Sequence, residues 1–190
     1  MDYNSVGAQK SFDVIPDGTI VVVQMNIRRG NAGEGGLLKR SKNGQAEMLD
    51  AEFIVVEGDH VKRKFWENMV VDGATDGHRE AADITHRRLR AIIESVKGIK
   101  PADVSDEAKA KRNVEYAEFD GMRFLCRVGV EPARQLPNGE SYRAKNILAE
   151  VITPDRTKEW RPIEQQPKPK DSGPGGNTPT PIIKPKWATS

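Results

Sequence analysis

Apolar and polar residues begin to alternate strictly at Thr19, and this marks the first predicted strand, residues 19–27. Val21, Val23, Met25 and Ile27 fall on one side, with Gln24, Asn26 and Arg28 on the other. A period of two is expected where one face of a strand is buried and the other wetted. Pro16-Asp17-Gly18 is the turn that launches it. A second run, 48–56, sets Leu49, Ala51, Phe53 and Val55 against Asp50, Glu52 and Ile54; Glu57-Gly58-Asp59 then turns the chain into a third, 62–71. The period changes after Asp72-Gly73. Ala81, Ile84, Thr85, Leu89, Ile92, Ile93 and Val96 recur at helical spacing, predicting a helix over 79–97 with Gly98 as its C-cap. Its outer side carries Arg79, Arg87, Arg88 and Arg90. Ser105, followed by Asp106 and Glu107, predicts the N-terminus of a shorter helix. Two strands close the pattern. In one, Met122, Phe124, Cys126, Val128 and Val130 alternate with Arg123, Leu125 and Arg127; the other runs over 142–152, after Pro137-Asn138-Gly139.

Three strands, a helix and two strands is the element order of the OB-fold, a five-stranded Greek-key barrel. The expected fold is therefore mainly β with one main helix, an OB-like barrel over residues 14–154. A flexible segment, 1–13, precedes it. A disordered, basic, proline-rich tail, 155–190, follows: eight of the twelve prolines lie between Pro154 and Pro185, and such composition buries too little apolar surface to fold alone. The tail ends in Pro181-Ile182-Ile183-Lys184-Pro185-Lys186-Trp187.

Composition narrows the class. Hydrophobic content is 36% and mean hydropathy is −0.65. No run approaches the roughly 18 apolar residues of a membrane span, and no secretory signal is visible at the N-terminus, so a cytoplasmic protein with no membrane partner is expected. The single cysteine, Cys126, excludes an internal disulfide. Net charge is +2, with seven Lys/Arg against four acids in 155–190, leaving 23 against 24 in the first 154 residues. A near-neutral body excludes a histone-like, sequence-blind binder of duplex DNA. Nucleic-acid contact has to come from patches.

The most distinctive patch is the loop between the first two strands, 28–44. It sets Arg28, Arg29, Lys39, Arg40 and Lys42 against one acid, Glu34, on a backbone with five glycines. Cations there can meet phosphates while glycines permit close backbone approach; the competing reading is a solvated hairpin loop. On the third strand, Lys62, Arg63 and Lys64 precede Phe65 and Trp66. Alternation puts Trp66 with Lys64 and Phe65 on the other face, so one ring can stack on a base while the other belongs to the core. Tyr142, Arg143 and Lys145 on the last strand, and Arg123 and Arg127 on the strand before, add rungs to the same groove, or else form a solvated outer face. Catalytic patterns are lacking. No Gly-Lys-Ser/Thr follows the loop glycines. His78-Arg79-Glu80 is half of a zinc deaminase signature whose two-cysteine half needs more than one cysteine. His60, His78 and His86 lack metal-ligand spacing, and Cys126 sits among core residues. A non-enzymatic protein without cofactors is expected.

Ile15-Pro16-Asp17-Gly18-Thr19, Ser41-Lys42-Asn43-Gly44, Phe53-Ile54-Val55-Val56-Glu57-Gly58 and Lys64-Phe65-Trp66-Glu67-Asn68 together resemble bacteriophage-encoded single-stranded DNA-binding proteins and related phage proteins encoded near replication and recombination genes. The following helix and the closing strand with Asn146 fit that pattern, which covers residues 14–154. The resemblance implies an OB-fold that coats single-stranded DNA during replication or recombination without strong sequence preference. A homo-oligomer, or cooperative binding along the strand, is the expectation that accompanies this reading. Many such proteins recruit partners through an acidic C-terminal tip; residues 182–190 here are apolar and basic, so the tail is expected either to recruit a different partner, a replication or recombination protein, or to contribute to strand binding itself. The alternatives are a protein-interaction adaptor and a structural phage component.

Overall fold

The computed structural model describes residues 13–137 and 139–166; the predicted flexible segment, but for Asp13, and the tail from Pro167 onward lie outside the described residues. Five long strands form one antiparallel sheet. They are β1 (Ile20–Arg28), β3 (Ala46–Val55), β4 (Lys64–Gly73), β5 (Arg123–Glu131) and β8 (Lys145–Val151). A short strand, β2 (Lys39–Arg40), continues the first hairpin, and β6 (Arg134–Gln135) pairs β7 (Ser141–Tyr142) in a separate hairpin between β5 and β8. β1 is central, pairing β3 on one side and β5 on the other. β4 lies beyond β3, and β8 beyond β5. The sheet curls until Cα atoms of its outermost strands, β4 and β8, come within 8 Å. No backbone ladder joins them among the described residues.

The main helix, α1 (Asp76–Lys97), begins a turn earlier than the periodicity predicts, because Thr75 caps it by accepting from the His78 N–H. Gly98 ends it in the left-handed conformation. α1 packs against β4, β5 and β8 and so lies across the place where the sheet edges approach. It buries Ala82, Thr85, Leu89, Ile92 and Ile93, whereas Ile84, predicted on the buried stripe, is exposed. Arg88, predicted on the outer side, is partly buried in an ion pair with Glu67 of β4. The second helix, α2 (Asp106–Arg112), is capped by Ser105 as predicted. A 3-10 turn, Tyr116–Phe119, leads into β5.

Inside the curl, Phe53 stacks on Phe65 at 5.1 Å between ring centroids and meets Phe124 edge-on at 6.3 Å. Met25, Leu49, Val128 and Leu148 complete a fully buried centre. Cys126 is buried with them as a free thiol, and burial raises its pKa far above the ordinary range. Asn146 is one of the polar residues buried in the protein. Its amide accepts from the Ile15 N–H at 2.8 Å and donates to the carbonyls of Ile15 at 2.8 Å and Gly129 at 3.3 Å. This pins the chain's entry into β1 to the last two long strands.

The outer side of the sheet holds a second, smaller apolar cluster: Val22, Leu125 and Ile152, with Trp160 and Ile163 packed on it. Residues 155–166 therefore do not start a free tail. They form a strap over the sheet. The Trp160 indole donates to the Ser95 carbonyl at the end of α1, and Arg161 pairs with Glu57. The Gln165 amide accepts from the Arg123 N–H at 2.9 Å and donates to its carbonyl at 2.8 Å. Leu125, expected on a solvated face, is buried for this reason.

Candidate nucleic-acid interface

The part of the outer face that the strap leaves open is built on β1, β3 and β4. Cross-strand register sets its rows. Arg28 lies opposite Asp50 and Asp50 opposite Asn68; Asn26 lies opposite Glu52 and Glu52 opposite Trp66; Gln24 lies opposite Ile54 and Ile54 opposite Lys64. Trp66 projects from this face and is 47% exposed, while Phe65, one residue earlier, is buried in the core. Alternation thus separates the two rings: Trp66 is presented outward, and Phe65, a candidate stacking residue, is a core residue that does not reach the face.

Half of the candidate cations are tied to carboxylates of the chain itself. Arg28 binds Asp50 Oδ1 through Nη2 at 2.6 Å and Nε at 3.1 Å, and Lys39 reaches Asp50 Oδ2 at 3.3 Å. Asp50 is only 8% exposed. Burial works to raise its pKa, but the hydrogen bonds and charges of Arg28 and Lys39 outweigh it, so its pKa falls below the ordinary aspartate value. Glu52 Oε1 accepts from Lys64 Nζ at 3.1 Å and from the Trp66 indole N–H at 3.2 Å, which fixes the edge of the exposed ring. Arg40 pairs with Glu47 and Lys145 with Glu131. Arg127 is held by Glu150, Glu159 and the Gly18 carbonyl, so it anchors the strap instead of forming a rung of the groove. Arg123 turns its guanidinium to Gln24 on the open face. Arg63 donates to the Asp13 carbonyl. Arg29, Lys42, Lys62, Arg123 and Arg143 have no carboxylate partner among the described residues.

The first loop is a built hairpin extension and not a slack flap. Ala32 and Leu38 form a β-bridge that buries Leu38, and Arg29 donates to the Gly35 carbonyl at 2.9 Å. Gly30 is required by close approach: a Cβ there would stand 2.5 Å from the Lys39 Cβ. Tyr142 and Arg143 belong to the hairpin between β5 and β8, not to the last strand. The exposed Tyr142 ring is covered by Arg134 at 5.7 Å, a cation–π partner that the sequence motifs had not singled out. This hairpin leaves β5 near the start of β1, where the Val130 N–H donates to Asp17, and the first loop leaves the other end of β1. The open face lies between them.

No known protein-family model matches the chain, and no curated protein matches it.

Proposed function

We propose that the chain is a non-enzymatic binder of single-stranded DNA, with its long strands arranged as an OB-fold and the strand lying across the open outer face of β1, β3 and β4. The observation that carries this reading is the outward-facing Trp66, set in a row with Asn26 and Glu52 and beside Lys64. An exposed ring on a polar sheet face is a platform on which any base can stack, worth roughly 1–3 kcal/mol per base. The strand order β4-β3-β1-β5-β8 supports the OB arrangement, in which the face of the second and third long strands and the loops flanking it hold the ligand. Arg28 and Lys39 against Asp50, and Lys64 against Glu52, leave a local excess of positive charge. Arg29, Lys42, Lys62 and Arg123 add to it, and phosphates compete for these groups.

The test is a titration with oligo-dT at two salt concentrations, following tryptophan emission in the whole chain and in Trp66→Phe. The expected result is quenching that depends on Trp66 and weakens steeply with salt. Absence of binding at low salt would remove the proposal. One observation favours a second reading, a protein-interaction adaptor: Arg28, Lys39, Arg40, Lys64, Arg127 and Lys145 all end on carboxylates of the same chain. A protein partner retained after nuclease treatment, alongside failed oligo-dT binding, would select the adaptor.

A further inference from the structure

α1, α2 and the Tyr116–Phe119 turn enclose an open cleft of about 470 Å³ on the helical side of the molecule, made from none of the residues assigned to DNA. Its floor is apolar: Leu89 and Ile93 of α1, and Phe119. Val104, on the connection between the helices, stands at its lip 72% exposed. Its border carries Arg90, Lys109, Arg112 and His86 with the Tyr116 hydroxyl, and among the described residues no carboxylate lines it.

The border cations are held but not exhausted. Arg112 places Nε on Glu94 and its two terminal nitrogens on the carbonyls of Asp103 and Lys100, locking α2 onto the end of α1. Arg90 shares Glu94 through Nε and gives Nη2 to the Pro101 carbonyl. Two guanidinium charges thus rest on one carboxylate. Among the described residues Lys109 pairs only with Asp106, whose side chain is almost fully exposed, and such a pair exchanges readily for another anion. His86 Nε2 lies 3.0 Å from Tyr116 Oη, giving the border a fixed polar corner.

From this arrangement we propose that the cleft is a docking site for an acidic peptide of a partner protein, which inserts a bulky apolar side chain over Leu89 and Ile93 and sets carboxylates against Lys109 and Arg90. Charge complementarity selects this occupant. The chain's own residues 167–190 hold Lys168, Lys170, Lys184 and Lys186 against Asp171 and would meet the border with like charge. A nucleic-acid strand would place phosphates over an apolar floor that offers them nothing. The volume lies within the range of specific ligand pockets, roughly 300–1,000 Å³, and accommodates one or two large side chains.

The experiment uses the full chain and fluorescence polarisation with three labelled ten-residue peptides. One carries a Leu-Phe pair among Asp and Glu; in the second the acids are lysines; in the third the Leu-Phe pair is Ser-Ser. Saturable binding of the first alone is expected. Val104→Asp and Lys109→Glu, both at exposed positions, should each weaken it by about tenfold or more while leaving oligo-dT binding unchanged. Equal binding of all three peptides, no saturation by the first, or indifference to both variants would overturn the proposal. A concentration-dependent dimer that vanishes in Val104→Asp would assign the cleft to a second copy of the chain, and would overturn it too.

Discussion

Replacing Trp160 by alanine tests whether the strap is part of the folded body. The indole packs on the cluster of Val22, Leu125 and Ile152, lies beside Gly98 and donates to the Ser95 carbonyl at 3.2 Å. Truncating a fully buried tryptophan costs roughly 3–5 kcal/mol. Trp160 is half-buried, so about half of that is expected, with about 1 kcal/mol for the lost hydrogen bond, or roughly 3 kcal/mol in all. For a body of this size each 1 kcal/mol shifts Tm by roughly 2–4 °C, so the melt should fall by about 6–12 °C. The assay is thermal unfolding followed by circular dichroism, comparing Trp160→Ala, a chain ending at Gln166 and a chain ending at Pro154. The chain ending at Gln166 should melt with the full chain. Ending at Pro154 should destabilise at least as much as Trp160→Ala, since it also removes the Arg161–Glu57 pair and the Gln165 clamp on Arg123. A Trp160→Ala melt within about 1 °C of the parent would refute a packed strap. The same comparison decides where to cut when DNA binding is measured, because removing 155–190 strips the sheet's outer face along with the tail.

On the proposed reading, Trp66→Ala weakens oligo-dT binding by about 5- to 150-fold, matching roughly 1–3 kcal/mol of stacking, while Tm moves little because the ring is half exposed; an unchanged titration would exclude Trp66 as the platform. The pKa of Asp50 is lower in the folded protein than in the unfolded chain. Its ion pairs therefore contribute stability above the unfolded value, about 3.9, and that contribution disappears as pH falls through the lower folded value. Asp50→Asn should flatten acid unfolding in that window and lower stability at neutral pH; identical acid profiles would show that the pairs contribute nothing. Asn146→Ala strands the Ile15 N–H and carbonyl inside the protein, for a loss of roughly 1–3 kcal/mol in chemical denaturation. In the first loop, Arg29→Ala with Lys42→Ala should reduce affinity and the salt slope at little cost to the fold, since of their bonds only the exposed one from Arg29 to the Gly35 carbonyl is lost. Adding Arg28→Ala and Lys39→Ala would leave Asp50 buried without its partners, and should lower Tm as well.

Much of the body was legible because β1, β3, β4 and β5 each bury one face, and a period of two records that directly. The same alternation separates Trp66 from Phe65. What stayed hidden depends on partners distant in sequence. Arg28 looks like a free loop cation until register places Asp50 across from it. Arg127 looks like a rung until Glu150 and Glu159 converge on it. Composition misled most at residues 155–166, where prolines and charges read as tail while Trp160 and Ile163, with Ile20 and Val56, provide the apolar cover of the outer cluster. Ile84 shows the reverse error: helical spacing put it on the buried stripe, but it is left exposed on an open groove that it shares with Glu150 and Val151 of β8.

The central place of β1 also bears on how the chain is made. Its first partner, β3, leaves the ribosome soon after it, but its second, β5, pairs Ile20 with Arg127 and follows about a hundred residues later. At roughly 5–20 residues per second the nascent β1–β3–β4 meander waits about 5–20 seconds with one long edge unpaired. That edge carries Val21, Val22 and Val23, the kind of β-branched run that recruits neighbouring chains. The yield of this protein in the cell should therefore depend on how fast residues 29–122 are translated and on chaperones that hold the open edge.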